Sequence, residues 1–281
     1  MPAAELHAAL ADAQGVSLRP EEPLAQHVPL RVGGPVELWM TVADEAALVA
    51  ATKAARTHSC VWRMHWPFQD WLVRDGGLKG AVIRLGRSFE RIELGEETVT
   101  IGAAALFSAL PAALTGEFWD DLRAWPGCPG GWCAAGWDAE LDRACTEVRV
   151  LKSGRIQTLE VTPGEGMPAL NSQAVVLSIT LRRDVPRGVD LLPPPPPGAI
   201  FQTVENSTVA AELDKAGLSG TRLRRWRISR EAPGTVVHLG GGTTKDLMML
   251  VQGVKHRVEK TRGIKLQTRF PLLGNEVGKR R

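Results

Sequence analysis

The stretch Trp71-Leu72-Val73-Arg74-Asp75-Gly76-Gly77-Leu78-Lys79-Gly80-Ala81-Val82-Ile83-Arg84-Leu85 decides the fold class. An apolar run, an Asp-Gly-Gly turn signal and a second apolar run read as strand, tight turn, strand. Upstream, Val36 to Val42 (VELWMTV) has the β-branched and aromatic content of another strand. Asp44 then stands where an N-cap belongs, and Ala47, Leu48, Ala51, Ala54 and Ala55 recur at helical spacing as far as about Thr57. Downstream, Val99 to Ala103 gives a further strand. Strands and helices in such short alternation predict an α/β (α+β) layer structure.

Further out, the segment Trp125 to Trp137 is dense in Gly, Pro and Cys and predicts a compact irregular loop. Glu147–Leu151, Ile156–Val161 and Val175–Leu181 follow a period near two and read as strands. The five prolines Pro193 to Pro197 form a stiff extended spacer, about 15 Å long as polyproline II, and mark a domain boundary. Beyond it, Val209 to Ala216 reads as a short helix stopped by Gly217. Gly240-Gly241-Gly242 leads into a long helix from about Thr243, with the stripe Leu247, Leu250, Val251, Val254 and Val258, ended by Gly263. Ile264 to Leu273 reads as a final strand before the basic tail Lys279-Arg280-Arg281. The division expected is residues 1–60 and 61–190 as two α/β subdomains, 191–198 as linker and 199–276 as a smaller C-terminal α/β domain. There is no internal repeat.

Composition excludes more than it assigns. With 281 residues, 44% of them hydrophobic and 23% charged, the chain is an ordinary folding sequence. A net charge of +3 is too slight to imply a polyanion partner. Arg222, Arg224, Arg225 and Arg227 around Trp226 read as a solvated face rather than a nucleic-acid surface. The start, with Glu5 and His7 inside its first ten residues, lacks the pattern of an export signal. Thr98 to Gly116 is uncharged and about the length of a membrane span, but Gly102 and Pro111 break it into strand, turn and short helix. A cytoplasmic protein with no membrane insertion is the expectation. Cys60, Cys128, Cys133 and Cys145 read as free thiols, and neither the Cys128/Cys133 pair nor His65 has partners at zinc-ligand spacing, so no metal is expected. Gly240-Gly241-Gly242 leaves two readings open, an anion site at a helix start or a tight strand-to-helix turn.

Several segments, taken in order, resemble the bacterial UDP-N-acetylenolpyruvoylglucosamine reductase family. Leu30-Arg31-Val32-Gly33-Gly34-Pro35 is similar to its opening signature, and Trp71 to Leu85 to its next block. Pro126-Gly127, Gly130-Gly131 and Ala135-Gly136 sit where the family has its central Gly-rich flavin loop. Ala216-Gly217-Leu218-Ser219-Gly220, Leu239-Gly240-Gly241 and the helix from Thr244 match its substrate domain. The resemblance runs from about Pro23 to Gly274. It implies a FAD-binding region of two α/β subdomains followed by a smaller domain for a UDP-sugar. It also implies a flavin-mediated, NADPH-dependent reduction of an enolpyruvyl group in peptidoglycan precursor synthesis. The cofactor-binding set it implies is Arg31, Gly33, Gly34, Pro126, Gly127, Gly130, Gly131 and Gly136.

The same comparison marks departures. The flavin phosphate loop reads Trp66-Pro67-Phe68-Gln69-Asp70, where bulk, a missing donor and a negative charge replace glycines whose amides would face a diphosphate. The family's Tyr-Arg pair before the strand at Val175 has no counterpart, since the chain has no Tyr and no Arg or Lys between Arg155 and Arg182. Its proton-donating serine is Ala199, with Ser207 the next hydroxyl of note. Its glutamate position is Arg269, in the register fixed by Leu272-Leu273-Gly274, with Glu276 seven residues on. Its Lys-His-Ala-Asn stretch is Glu231-Ala232-Pro233-Gly234. Two functional readings therefore stand side by side. One is a reductase of the family type, using FAD, NADPH and a UDP-sugar. The other is a catalytically inactive homologue serving as scaffold or partner to other cell-wall synthesis proteins.

Overall fold

The structure, a computed structural model, describes residues 2–68, 71–135, 143–162, 174–185, 198–202, 207–269 and 272–277. The predicted Pro193–Pro197 spacer, Gln69, Asp70, Gly136 and the segment 167–173 lie outside these. Contacts divide the chain into two compact units: Met1–Pro20, Leu38–Gln69 and Gly80–Pro194 in the first, and Glu21–Glu37, Asp70–Lys79 and Pro195–Arg281 in the second.

The first unit opens with helix α1 (Pro2–Leu10) and strand β1 (Val16–Pro23). Strand β2 (Pro35–Val42) buries five of its eight residues, as a strand covered on both faces does. Helix α2 (Glu45–Thr57) starts where Asp44 predicts, the Asp44 side chain accepting from the Ala47 N–H, and it buries Ala47, Leu48, Ala51 and Ala55. The strands β3 (Trp62–His65) and β5 (Leu78–Leu85) follow, while β4 (Leu72–Val73), between them in sequence, belongs to the second unit. One sheet has the order β1-β2-β5-β3, with β3 parallel to β5.

A second sheet is antiparallel throughout. Strands β6 (Ile92–Leu94) and β7 (Thr98–Gly102) are followed by helices α3 (Glu117–Ala124) and α4 (Pro129–Ala135). Strands β8 (Cys145–Lys152), β9 (Arg155–Glu160) and β10 (Val175–Arg182) complete the order β6-β7-β10-β8-β9. The core of this unit includes Leu6, Leu38, Met40, Leu48, Ile83, Ile101, Phe107, Trp119, Val148 and Ile179. The predicted irregular loop at Trp125 is corrected here, since its second half is α4. Pro129 supplies the preset φ of a first helical residue, and the Cys128 carbonyl accepts the Trp132 N–H.

The second unit holds α5 (Val209–Lys215), the small antiparallel sheet β11 (Arg222–Leu223), β12 (Trp226–Ile228) and β13 (Val236–His238), then α6 (Thr244–Arg262) and β14 (Leu272–Leu273). Thr208 and Thr243 cap the two helices, and Gly263 ends α6 in the left-handed conformation. Trp226, Leu247, Val251, Val254 and Val258 meet Leu30, Val32 and Leu72 in its core. The strand predicted over Ile264–Leu273 is corrected. Among the described residues its first part makes only an isolated bridge, Phe201 to Thr268, and Leu272–Leu273 pairs in parallel with β4. Gly263 in the left-handed region ends the helix, and the bonds of Gln202 N–H to the Gln267 carbonyl and of Arg269 N–H to the Ile200 carbonyl flank that single bridge. Among the described residues no helix is long and apolar enough to cross a membrane.

Candidate functional site

The predicted cofactor residues fall into two groups, one in each unit. In the second unit, Gly34 lies against the Asp75-Gly76-Gly77 turn, Gly33 against Val73 just before it, and Arg31 near His238. The Gly34 N–H donates to the Arg74 carbonyl at 3.0 Å, and the Gly77 N–H to the same oxygen at 3.0 Å. A Cβ on Gly34 would stand 2.2 Å from the Asp75 carbonyl oxygen, and one on Gly77 2.0 Å from that of Pro35. Backbone packs on backbone here, and only glycine permits it. These glycines hold the unit together.

The same turn answers the question left by Gly240-Gly241-Gly242. The Asp75 carboxylate accepts from the Thr244 N–H at 2.8 Å and from the Lys245 N–H at 3.0 Å. The Thr243 hydroxyl takes the Asp246 N–H at 3.0 Å. The first three free amides of α6 thus have partners, and the anion at this helix start is the chain's own. Gly240 and Gly241 have positive φ, and the Gly242 N–H donates to His238 Nε2 at 2.9 Å, so the glycines form a tight turn. His238 stacks on Trp226 with ring centroids 4.4 Å apart. Burial lowers its pKa, against the pull of a hydrogen bond to Leu30, and the nearby Arg31 charge lowers it further.

Ala199 and Arg269, the positions to which the resemblance assigns catalytic roles, lie on paired segments. Ala199 bridges Thr235 in antiparallel fashion, and the Arg269 N–H donates to the Ile200 carbonyl at 2.8 Å. The segments 199–201 and 268–269 are therefore neighbours, and the register assigned from Leu272-Leu273-Gly274 is compatible with this pairing. They present a buried methyl group and a guanidinium. Ser207 is engaged elsewhere, its hydroxyl donating to Glu212 Oε1 at 2.7 Å. Glu276 pairs with Arg74 at 2.9 Å. A cavity of about 650 Å³ beside α6 is lined by Arg74, Asp75, Lys245, Met248 and Met249 among others, and by neither Ala199 nor Arg269.

In the first unit, the glycines of the expected flavin loop meet the segment that departs from the family. Trp66 is only 3% exposed. A Cβ on Gly130 would stand 2.1 Å from Trp66 Cζ3 and 2.4 Å from Cε3 and Cη2. A Cβ on Gly131 would lie 3.1 Å from Trp66 Cβ. The amides at this helix start are engaged as well. The Gly130 N–H donates to the Ala103 carbonyl at 2.9 Å, and the Cys128 sulfur lies within reach of the Gly131 and Gly130 amides. Burial pushes the Cys128 thiol up to about 12 despite those contacts. Gly127 has φ of 119° and its carbonyl accepts from the Phe107 N–H, Pro126 is exposed, and Phe68 has φ of 60° and is exposed. A flavin laid against these glycines would need the space of the indole and amides that already have partners. The residues present do not fit FAD in this cradle.

Other singled-out residues take structural places. Arg224 pairs with Asp246 at 3.2 Å, and Arg222 Nε donates to the Arg224 carbonyl. His65 is buried with its ring 5.2 Å from that of Trp39. All four cysteines are free thiols. What the sequence left unsignalled is the buried carboxylate of Glu212, bonded to Ser207, to Lys215 at 3.0 Å and to Arg262 at 2.9 Å. A Glu in a short amphipathic helix gives no sign of such a role.

Known proteins share this frame. The family model described as UDP-N-acetylenolpyruvoylglucosamine reductase, C-terminal domain, matches residues 192–272. The reductase of that name from Ruegeria pomeroyi is 30% identical over 300 residues, covering 92% of this chain and 96% of its own. That of Bacillus pumilus is 22% identical, covering 95% and 97%. The crystal structure of the corresponding enzyme (MurB) from Thermus caldophilus superimposes with a TM-score of 0.68 at 22% identity, covering 92% of this chain and 99% of that one. By full-length likeness and by fold, this chain belongs to the UDP-N-acetylenolpyruvoylglucosamine reductase family.

Proposed function

We propose that this chain serves peptidoglycan precursor synthesis as a non-catalytic member of its family, a scaffold or partner for other cell-wall synthesis proteins. The observation that carries this reading is the pairing of the Ala199 and Arg269 segments. The reaction that the relatives' name denotes needs a proton delivered beside the reduced carbon and a carboxylate to steady developing charge. At the two positions stand a methyl group, with no transferable proton, and a cation. Loss of a positioned acid alone costs about 10²–10⁴ in rate. The indole over Gly130 and Gly131 supports the same reading, because it fills space that a flavin laid against those glycines would need.

The protein purified from cells decides it. A colourless preparation that melts cooperatively and oxidises no NADPH in the presence of the UDP-enolpyruvyl sugar is expected. Stoichiometric flavin released on denaturation, with turnover, would overturn it.

A second reading, a working reductase using FAD, NADPH and a UDP-sugar, is favoured by the relative 30% identical across 96% of its own length. It requires Trp66 to leave the cradle when FAD binds. A FAD-dependent rise in melting temperature is its signature.

A further inference from the structure

We propose that the Trp66 indole is a built-in occupant of the cradle at the head of α4, closing the first unit as a bound planar ligand would. Its removal uncovers a latent site for small, neutral, fused-ring aromatic molecules. This goes beyond the functional reading, because it concerns how the unit packs and what the vacated space would accept.

Three observations carry it. The indole is almost fully buried, and three of its ring carbons lie where any side chain on Gly130 would begin. Glycine at 130 is therefore required by the ring rather than by the backbone, whose φ there is not positive. The neighbouring polar groups have partners already, with the Gly130 N–H on the Ala103 carbonyl and the Cys128 sulfur beside the Gly131 and Gly130 amides. No further amide is thus offered to a phosphate at this helix start. The space left by an absent indole is then floored by Gly130 and Gly131 and lies within the apolar core cluster to which Trp66 belongs. A cavity of that kind stays dry and takes up neutral aromatic molecules. The chemistry selects an uncharged ring system and gives no advantage to a phosphorylated one.

The test uses the full chain. Trp66→Ala should lower the melting transition of the first unit by roughly 6–20 °C, the range for deleting a large buried aromatic from a domain of this size. Near-saturating indole should recover a substantial part of that loss while leaving the wild-type chain unmoved. FMN should do no better than riboflavin. A second variant removes dependence on one mutant's behaviour. Gly130→Ala should be costly beside Trp66 and nearly neutral, or stabilising, in the Trp66→Ala background, since alanine suits a helix better than glycine. If Trp66→Ala has no cooperative transition, Trp66→Leu takes its place in the cycle, with the same relief expected. The proposal falls if Trp66→Ala melts within about 2 °C of wild type. It also falls if indole rescues nothing, or if Gly130→Ala costs the same in both backgrounds. These outcomes are independent of activity. Flavin and turnover in the wild-type chain would sink the functional reading, whereas missing coupling between Trp66 and Gly130 would sink this one.

Discussion

Removing the Asp75 carboxylate tests the anchoring of α6 most directly. In Asp75→Ala, the Thr244 and Lys245 amides lose acceptors at 2.8 and 3.0 Å, and the positive end of a 19-residue helix loses its counter-charge. A helix-start acceptor contributes about 0.5–2 kcal/mol and a well-placed charge about 0.3–1 kcal/mol more. Two amides are involved, but Asp75 is half-exposed and water will replace part of what it gives. The working figure is about 2–3 kcal/mol, or a fall of roughly 4–12 °C in melting temperature. Asp75→Asn keeps an acceptor and loses the charge, so about half that fall is expected. Differential scanning calorimetry at low and high salt separates the two contributions. Salt should narrow the gap between wild type and Asp75→Asn more than that between Asp75→Asn and Asp75→Ala. An Asp75→Ala chain melting within 1–2 °C of wild type, about the size of an ordinary surface change, would refute the anchoring argument.

Other outcomes follow from the same geometry. Hydrogen bonds from Ser207, then Arg262 and Lys215, hold the Glu212 carboxyl down to about 2 from its ordinary 4.5. Its contribution is therefore complete above about pH 4.5 and lost as pH falls towards 2, so melting curves of wild type and Glu212→Gln should converge over that window; a constant gap would contradict the assignment. Gly34→Ala should yield little folded protein by circular dichroism, because backbone atoms stand 2.2 and 2.5 Å from the new Cβ. Gly253→Ala, at an exposed position of α6 with nothing within 4 Å of the new Cβ, should gain up to about 1 kcal/mol in urea titration. Cys128 is buried with its thiol at about 12, and burial raises Cys133 well above the usual range, with Cys145 and Cys128 nearby adding to the rise. A thiol reagent at neutral pH should leave both unmodified in the native chain and label them after unfolding, as peptide mass mapping reads it.

Much of the fold was legible because its signals are local. Asp44, Thr243 and Gly263 carry helix-end chemistry on their own side chains or in their lack of one, and the Asp75-Gly76-Gly77 turn announces itself. The hairpin of β11 and β12 did not, since strands of two and three residues show no period. Helix α4 hid behind its own glycines. They read as loop formers, yet Gly130 is where it is because a ring from residue 66 lies on it. The resemblance singled out Ala199 and Arg269, but the sequence did not show that a backbone hydrogen bond between Ile200 and Arg269 makes their segments neighbours. The aromatic content of Trp66-Pro67-Phe68 was visible. That the first aromatic turns inward and the third stays exposed is a tertiary outcome, decided by the room above two glycines.

The bond from Asp75 to Thr244 spans 169 positions, and the Arg74–Glu276 pair spans 202. On a ribosome adding about 5–20 residues per second, the Leu72–Val73 ribbon emerges roughly 10–40 s before the last residues that cover it. Through that interval it is an apolar strand with open edges, the state most prone to stick to another nascent chain. Synthesis speed and chaperone supply should therefore bear on the yield of this protein. The matched segment 192–272, expressed alone, would emerge without Asp75 and without β4.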